Sequence, residues 1–197
     1  MNDHQIRAAL KRKLLFRYLK DPDALVLDEL GLRHGKVRAD IVVVNSILHG
    51  FEVKSDRDTL KRLPDQARIY NSVFDRMTLV VGYHHAYKAI RMVPDWWGIK
   101  LVTMGPQGGI YFSDARPARN NPSPDIHSIA KLLWRDEAIA LLEEIGAATG
   151  FRSKPRAAIY AHLSKVANLE LVHSRVCQRL RARIGWRSAE RQMLNDD

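Results

Sequence analysis

The chain has 197 residues, 46% of them apolar and 27% charged, with a formal charge of +10, which fits one ordinary domain or a domain with a small appendage and excludes disorder and fibrous repeats. Its apolar runs fall well short of the roughly 18 residues of a bilayer-spanning helix, and MNDHQIRAALKRKLLFRYLK interrupts each apolar stretch with Arg or Lys, unlike a secretory leader. A single cysteine, Cys177, excludes an internal disulfide and a paired-cysteine zinc site; it is expected as a small buried apolar side chain in a reducing cytoplasm.

The first predicted element runs from about Asp3 to Lys20, where Ile6, Leu10, Leu14 and Tyr18 recur every four residues as the apolar stripe of a helix that Asp21-Pro22-Asp23 stops. Three β-like runs follow, Ala24 to Leu30, Lys36 to Val44 and Ile47 to Lys54, close enough in sequence for an antiparallel meander. Between Asp56 and Arg76 the pattern is helical but divided by Pro64, so a short helix is expected after Asp58 and a second from near Pro64. Thr78 to Gly82 and Lys100 to Met104 read as strands around a helix from His84 to Met92, a crossover that implies parallel pairing. Trp96-Trp97-Gly98 is expected to cap the sheet edge and lead into the second of these strands, with base stacking as the competing role. After Gln107-Gly108-Gly109 comes a short run, Ile110 to Phe112. DARPARNNPSPD, residues 114–125, is the linker candidate. Beyond it, helices are predicted over 126–145, 155–164 and about 168–184. The expected organisation is a domain over 1–113, a linker over 114–125 and a basic helical domain over 126–197 whose last helices have the arrangement of a helix-turn-helix.

The positive charge is not uniform. Residues 1–124 carry 20 basic and 13 acidic side chains (+7), 125–150 carry 2 and 5 (−3), and 151–197 carry 10 and 4 (+6). A basic surface concentrates polyanions, so nucleic acid is the leading partner class and anionic lipid the second. In the last block Arg175, Arg179, Arg183 and Arg187 repeat every four residues opposite Leu169, Val172 and Val176. Such a row suits phosphate contacts, and an interaction face for another protein competes with that role. His84-His85 and the scattered His34, His49, His127, His162 and His173 show no ligand spacing and are expected in surface or capping roles.

Three ionisable residues stand out in the meander. Asp40 lies in the apolar strand RADIVVV, and Glu52 and Lys54 lie two apart in GFEVKS, hence on one face. A hairpin turning near Ser46 sets Asp40 opposite Glu52, within reach of one divalent cation; a one-residue slip would move Asp40 to the other face. Two carboxylates and the Val53 carbonyl would suit Mg²⁺, with Mn²⁺ as a substitute, and Lys54 would neutralise a phosphodiester under attack. Glu-x-Lys by itself is common by chance. Gln66 and Tyr70, four apart on the helix opening at Pro64, share a face and can contact nucleic acid or buttress the site; a core position for Tyr70 beside Val73 and Phe74 is the alternative.

Asp40, Glu52-Val53-Lys54 and Gln66-x-x-x-Tyr70 together resemble the PD-(D/E)XK nuclease superfamily, the last element being similar to its RecB-like members. VRADIVVV, FEVKSDRDTLKRLPDQARIYNSVFDR and VPDWWGIKLV are similar to a group of bacterial and phage-associated proteins within it. The resemblance spans about residues 24–104 and implies an α/β fold, a restriction-endonuclease-like core with a central mixed sheet flanked by helices, to which a C-terminal all-helical appendage is added. It also implies a Mg²⁺-dependent deoxyribonuclease in which Asp40 and Glu52 hold the metal, Lys54 is the catalytic lysine and Glu29, or its neighbour Asp28, is the additional acid. Ala39 stands where the superfamily carries proline. The substrate would be DNA, with RNA an open second substrate, gripped in addition by Arg38. A homodimer is compatible with this picture, and the alternative function is a non-catalytic nucleic-acid-binding protein on the same fold. A salt-bridge cluster of Asp40, Glu52, Lys54 and Arg38 is the purely structural alternative.

Overall fold

Six strands make one mixed sheet in sequence order: β1 (Leu25–Leu32), β2 (Val37–Val44), β3 (Leu48–Lys54), β4 (Arg76–Gly82), β5 (Gly98–Met104) and β6 (Ile110–Arg116). The computed structural model describes residues 1–33 and 35–183. Short turns force β1–β2–β3 into the expected antiparallel meander. The crossovers make β3–β4 and β4–β5 parallel. At the β5–β6 turn, Gly108 takes φ +76, a conformation glycine adopts without cost, and the two strands pair antiparallel.

The centre of the sheet, β2 to β4, is buried on both faces, which is why β2 reads as a nearly unbroken apolar run. Ile41 and Val43 face a cluster that includes Ile6, Leu10, Leu15, Phe51 and Val53. Val42 and Val44 face a larger one that takes in Tyr70, Phe74, Leu79 and Trp97. Helices cover these faces in two groups. On the first lie α1 (Asp3–Lys13) and α2 (Phe16–Lys20); α1 starts with a capping box in which Asn2 and Gln5 exchange side-chain bonds of 2.9 Å. The single helix expected over 3–20 is broken at Leu14-Leu15. In a straight helix Leu15 would stand about 180° around the axis from Ile6; the break lets both enter one cluster.

α3 (Leu63–Tyr70) carries Pro64 in its first turn, as predicted. The short helix expected after Asp58 does not form: Asp58 Oδ2 accepts from both the Ser55 amide and hydroxyl, at 2.7 and 2.6 Å, and closes a turn instead. A 3₁₀ turn (Tyr83–His85) and α4 (Ala86–Ile90) replace the longer helix expected from His84. Trp97 does not cap an edge. It is fully buried, its indole N–H bonded to Asn71 Oδ1 at 2.8 Å and its ring stacked near Tyr70.

β6 runs through the first three residues of the 114–125 segment, and the remainder is tied to the core: Asn121 Nδ2 donates to the carbonyls of Asn71 and Phe74, both at 2.8 Å. The helix expected over 126–145 is two, α5 (Ile126–Ala130) and α6 (Arg135–Glu144), parted where Leu132 and Leu133 turn inward and Glu137 caps the Trp134 amide. α7 (Arg156–Val166) and α8 (Leu169–Ala182) complete the described chain. Buried side chains of all four, including Ile129, Leu142, Leu163 and Val176, belong to the larger cluster. Cys177 is buried, as expected.

Three histidines occupy structured places where surface or capping roles were expected. His162 stacks on Phe151, with ring centroids 3.7 Å apart. His49 bonds Thr78 and is lowered to about 4, first by burial and then by Arg76. His173 on α8 lies 2.6 Å from Asp75 Oδ2, which also accepts from the Leu48 amide; Asp75, with a smaller contribution from Cys177, raises His173 to about 10. This clamp ties α8 to the sheet. Its stabilisation is fully present below the unfolded value of about 6.5 and is lost as pH rises through about 10. His173→Gln is therefore expected to cost about 2 kcal/mol at neutral pH, and urea unfolding should show the difference from wild type shrinking as pH rises from about 6.5 to about 10 and levelling off above that. A difference that grows with pH would contradict the clamp.

Candidate functional site

The β2–β3 register decides which polar side chains meet. Ile41 lies opposite Phe51 and Val42 opposite Gly50, the expected hairpin register, so Asp40 and Glu52 fall at the next step. Glu52 and Lys54 share a face, and Lys54 Nζ lies 2.5 Å from Glu52 Oε1. α3 supplies Gln66, whose Nε2 donates to the same oxygen at 2.7 Å, and Tyr70, whose hydroxyl donates to Glu52 Oε2 at 2.8 Å. Glu52 is 1% exposed and Lys54 6%. Tyr70 takes the core position that was its alternative reading, and its hydroxyl reaches Glu52 from there.

Asp40 is held from two other directions. Its Oδ2 accepts from the Val53 amide at 2.7 Å, and its Oδ1 lies 3.2 Å from Arg7 Nη2. Burial first, then the neighbouring Glu52 carboxylate, push Asp40 up to about 7, against the opposing pull of the Val53 N–H and Arg7. Burial opposes the charge of Arg7, yet Asp3, Asp40 and Glu29 together hold it above its ordinary value. Burial and the Glu52 charge raise the Tyr70 phenol likewise.

Glu29 stands across from Asp40 in the β1–β2 ladder, between the pairs Asp28–Ile41 and Leu30–Ala39, and takes φ +53, a left-handed conformation uncommon for a residue with a side chain. Its carboxylate accepts from Arg7 at 3.0 Å and Arg38 at 3.4 Å, and the Arg7 bond lowers it. Asp28 turns away to Lys11. These groups line a cleft of about 510 Å³ in which Asp40, Glu52 and Lys54 converge with Arg7, Arg38 and Arg62. Arg7 joins Asp3, Glu29 and Asp40 into one network, and sequence patterning missed it because it sits on the polar stripe of an amphipathic helix. Its pairing with Asp3 at i, i+4 is the signal that could have found it.

The arginine row lies elsewhere. Arg175 bonds Glu144 and Gln178, and Arg183 bonds Glu137 and the Leu132 carbonyl while covering Trp134. Neither they nor Arg179 line the cleft, and Arg187 lies outside the described residues.

Every oxygen of Asp40 and Glu52 thus has a protein donor, and an ammonium sits against Glu52. Among the described residues no group of three or more His, Cys, Asp or Glu side chains is arranged to hold a metal ion. As placed, the pair does not offer Mg²⁺ the open oxygen ligands it needs.

The family model for bacteriophage P4 protein cII matches residues 1–195. Protein cII of Enterobacteria phage P4 is 41% identical over 58 residues, a match covering 29% of this chain and 22% of that relative. No solved structure matches the chain. These findings overturn the PD-(D/E)XK resemblance and, with it, the deoxyribonuclease activity and the metal-binding assignment. The resemblance rested on a few polar residues that a common hairpin register brings together, and a buried, internally neutralised cluster needs the same residue types at the same spacing. The residues that suggested a nuclease are the polar centre of a chain that belongs to the bacteriophage P4 protein cII family.

Proposed function

We propose that the chain binds nucleic acid, DNA in the first place, without cutting it, and keeps a restriction-endonuclease-like sheet only as a scaffold. One observation carries the proposal. Among the described residues Glu52 and Lys54 are the buried charged pair, and they cancel, so the excess of 30 basic over 19 acidic side chains in those residues stays outside the core. A surface of that sign collects phosphates. Arg38, 39% exposed at the cleft, and Arg175 and Arg179 on α8 are the contacts in this proposal, Arg175 by giving up its bond to Glu144. In it the Asp40–Glu52–Lys54 cluster fixes β2, β3 and α3 relative to one another.

Fluorescence anisotropy with labelled DNA across a salt series tests this. Affinity should fall linearly on logarithmic axes, with a slope of several, as phosphate contacts release counterions. DNA incubated with the protein and Mg²⁺ or Mn²⁺ should keep its length. Salt-independent affinity would sink the binding proposal, and metal-dependent cleavage lost in Glu52→Gln would sink its non-catalytic part.

A further inference from the structure

Resting on that nucleic-acid proposal, we infer that the carboxyl end of the parallel strands carries a stacking platform for unpaired bases, built from Tyr83 and Tyr87. Of the large apolar side chains described, these two are the most exposed, at 67% and 74%. They stand four apart, on the 3₁₀ turn and on α4, where the chain leaves β4. Tyrosine rings left this far in water bury nothing for the fold, so their shape is not explained by the core.

The charges of their own loop and helix are basic: residues 83–94 contain Lys88 and Arg91 and no Asp or Glu. The Arg91 guanidinium lies 4.6 Å from the Tyr87 ring centroid, and His84 stands edge-on to Tyr83. The turn after the neighbouring strand β3 packs alongside: Asp56 Oδ1 accepts the His84 amide at 3.1 Å, and a Cβ on Gly82 would overlap that same carboxylate. This turn exposes Arg57, Lys61 and Arg62, while Asp56 and Asp58 spend their carboxylates on the His84 amide and on Ser55. Two adjacent loops therefore present rings and cations together, with the exposed Asp56 between them held by the His84 amide. Arg62 also lines the cleft, so the two sites adjoin.

An exposed ring beside a cation suits a base face and the phosphate next to it, whatever the base. In a duplex the base faces are stacked on one another and closed to a projecting side chain. The occupant is accordingly single-stranded nucleic acid, DNA or RNA, since the platform contains nothing that selects a 2′-hydroxyl.

The test compares wild type with Tyr83→Leu/Tyr87→Leu and Tyr83→Phe/Tyr87→Phe in binding of oligo(dT), oligo(U) and a duplex of equal length. Both variants replace exposed side chains, so thermal unfolding should coincide with wild type. The leucine pair is expected to lose about tenfold affinity per ring for the single strands and little for duplex, and the phenylalanine pair to keep wild-type affinity. Single-strand affinity unchanged in the leucine pair would overturn the platform, and salt-dependent duplex binding would still stand for the broader proposal. Polyglutamate bound with the same dependence on Tyr83 and Tyr87 would overturn it as well, by showing an acidic-peptide site.

Discussion

Replacing Glu52 with alanine should destabilise the protein by about 3–5 kcal/mol, the range found when one partner of a buried ion pair is removed and the other is left without compensation. Lys54 is only 6% exposed and Glu52 is its ion-pair partner among the described residues. The same substitution takes a partner from the Gln66 amide and from the Tyr70 hydroxyl, which converge on Glu52 from α3, although the hydroxyl keeps the Arg38 carbonyl at 2.7 Å. At about 2–4 °C per kcal/mol for a chain of this size, the midpoint should fall by roughly 10 °C. The double variant Glu52→Gln/Lys54→Met should recover most of the loss, because it removes both charges and leaves an amide for Tyr70 and Gln66. Thermal and urea unfolding of the two variants measure this. A loss below about 1 kcal/mol for Glu52→Ala would mean that water reaches Lys54 and that the cluster is not the rigid centre described here.

The sheet was legible because its determinants are local. Valine runs and short turns dictate a meander, a strand–helix–strand spacing dictates a parallel crossover, and the position of Ser46 set the register that joins Asp40 to Glu52. The helix breaks were not legible. Leu14-Leu15 and Leu132-Leu133 continue a helical period without glycine or proline, and only the need to bury Leu15 and Leu133 in the tertiary core bends the chain there. The site shows the same division. The convergence of Asp40, Glu52, Lys54, Gln66 and Tyr70 followed from period and register, whereas its neutralisation by Arg7 depends on how α1 docks, which no spacing encodes. That difference separates two functions. An open carboxylate pair invites a cation, and the same pair already supplied with an ammonium, a guanidinium and three neutral donors holds secondary structure together. The arginine row repeats the lesson, since Arg175 and Arg183 were placed on one side of α8 by periodicity and then turned to Glu144 and Glu137 on α6.

Asp40 makes the stability of the fold depend on pH. Burial and the Glu52 charge raise it to about 7, whereas in the unfolded chain it titrates near about 3.9. Between these values the folded protein holds a proton that the unfolded chain has released, so stability falls as pH rises: the contribution of protonated Asp40 is fully present below about pH 4 and lost as pH passes through about 7. The shift corresponds to at most about 4 kcal/mol, and Arg7 reduces it by favouring the carboxylate. Asp40→Asn is neutral at every pH, and its amide oxygen can still accept from the Val53 N–H. The variant should therefore be no more stable than wild type near pH 4.5 and more stable near pH 8, with the difference developing across the interval in which Asp40 ionises. Urea midpoints of both proteins at half-unit steps over that range give the curve directly. In Glu52→Gln, loss of the neighbouring charge should move the transition of the Asp40 carboxyl, followed by carbon NMR, to lower pH. A wild-type minus Asp40→Asn difference that stays constant from about pH 4.5 to 8 would show that Asp40 is ionised throughout and that Arg7, not burial, governs it.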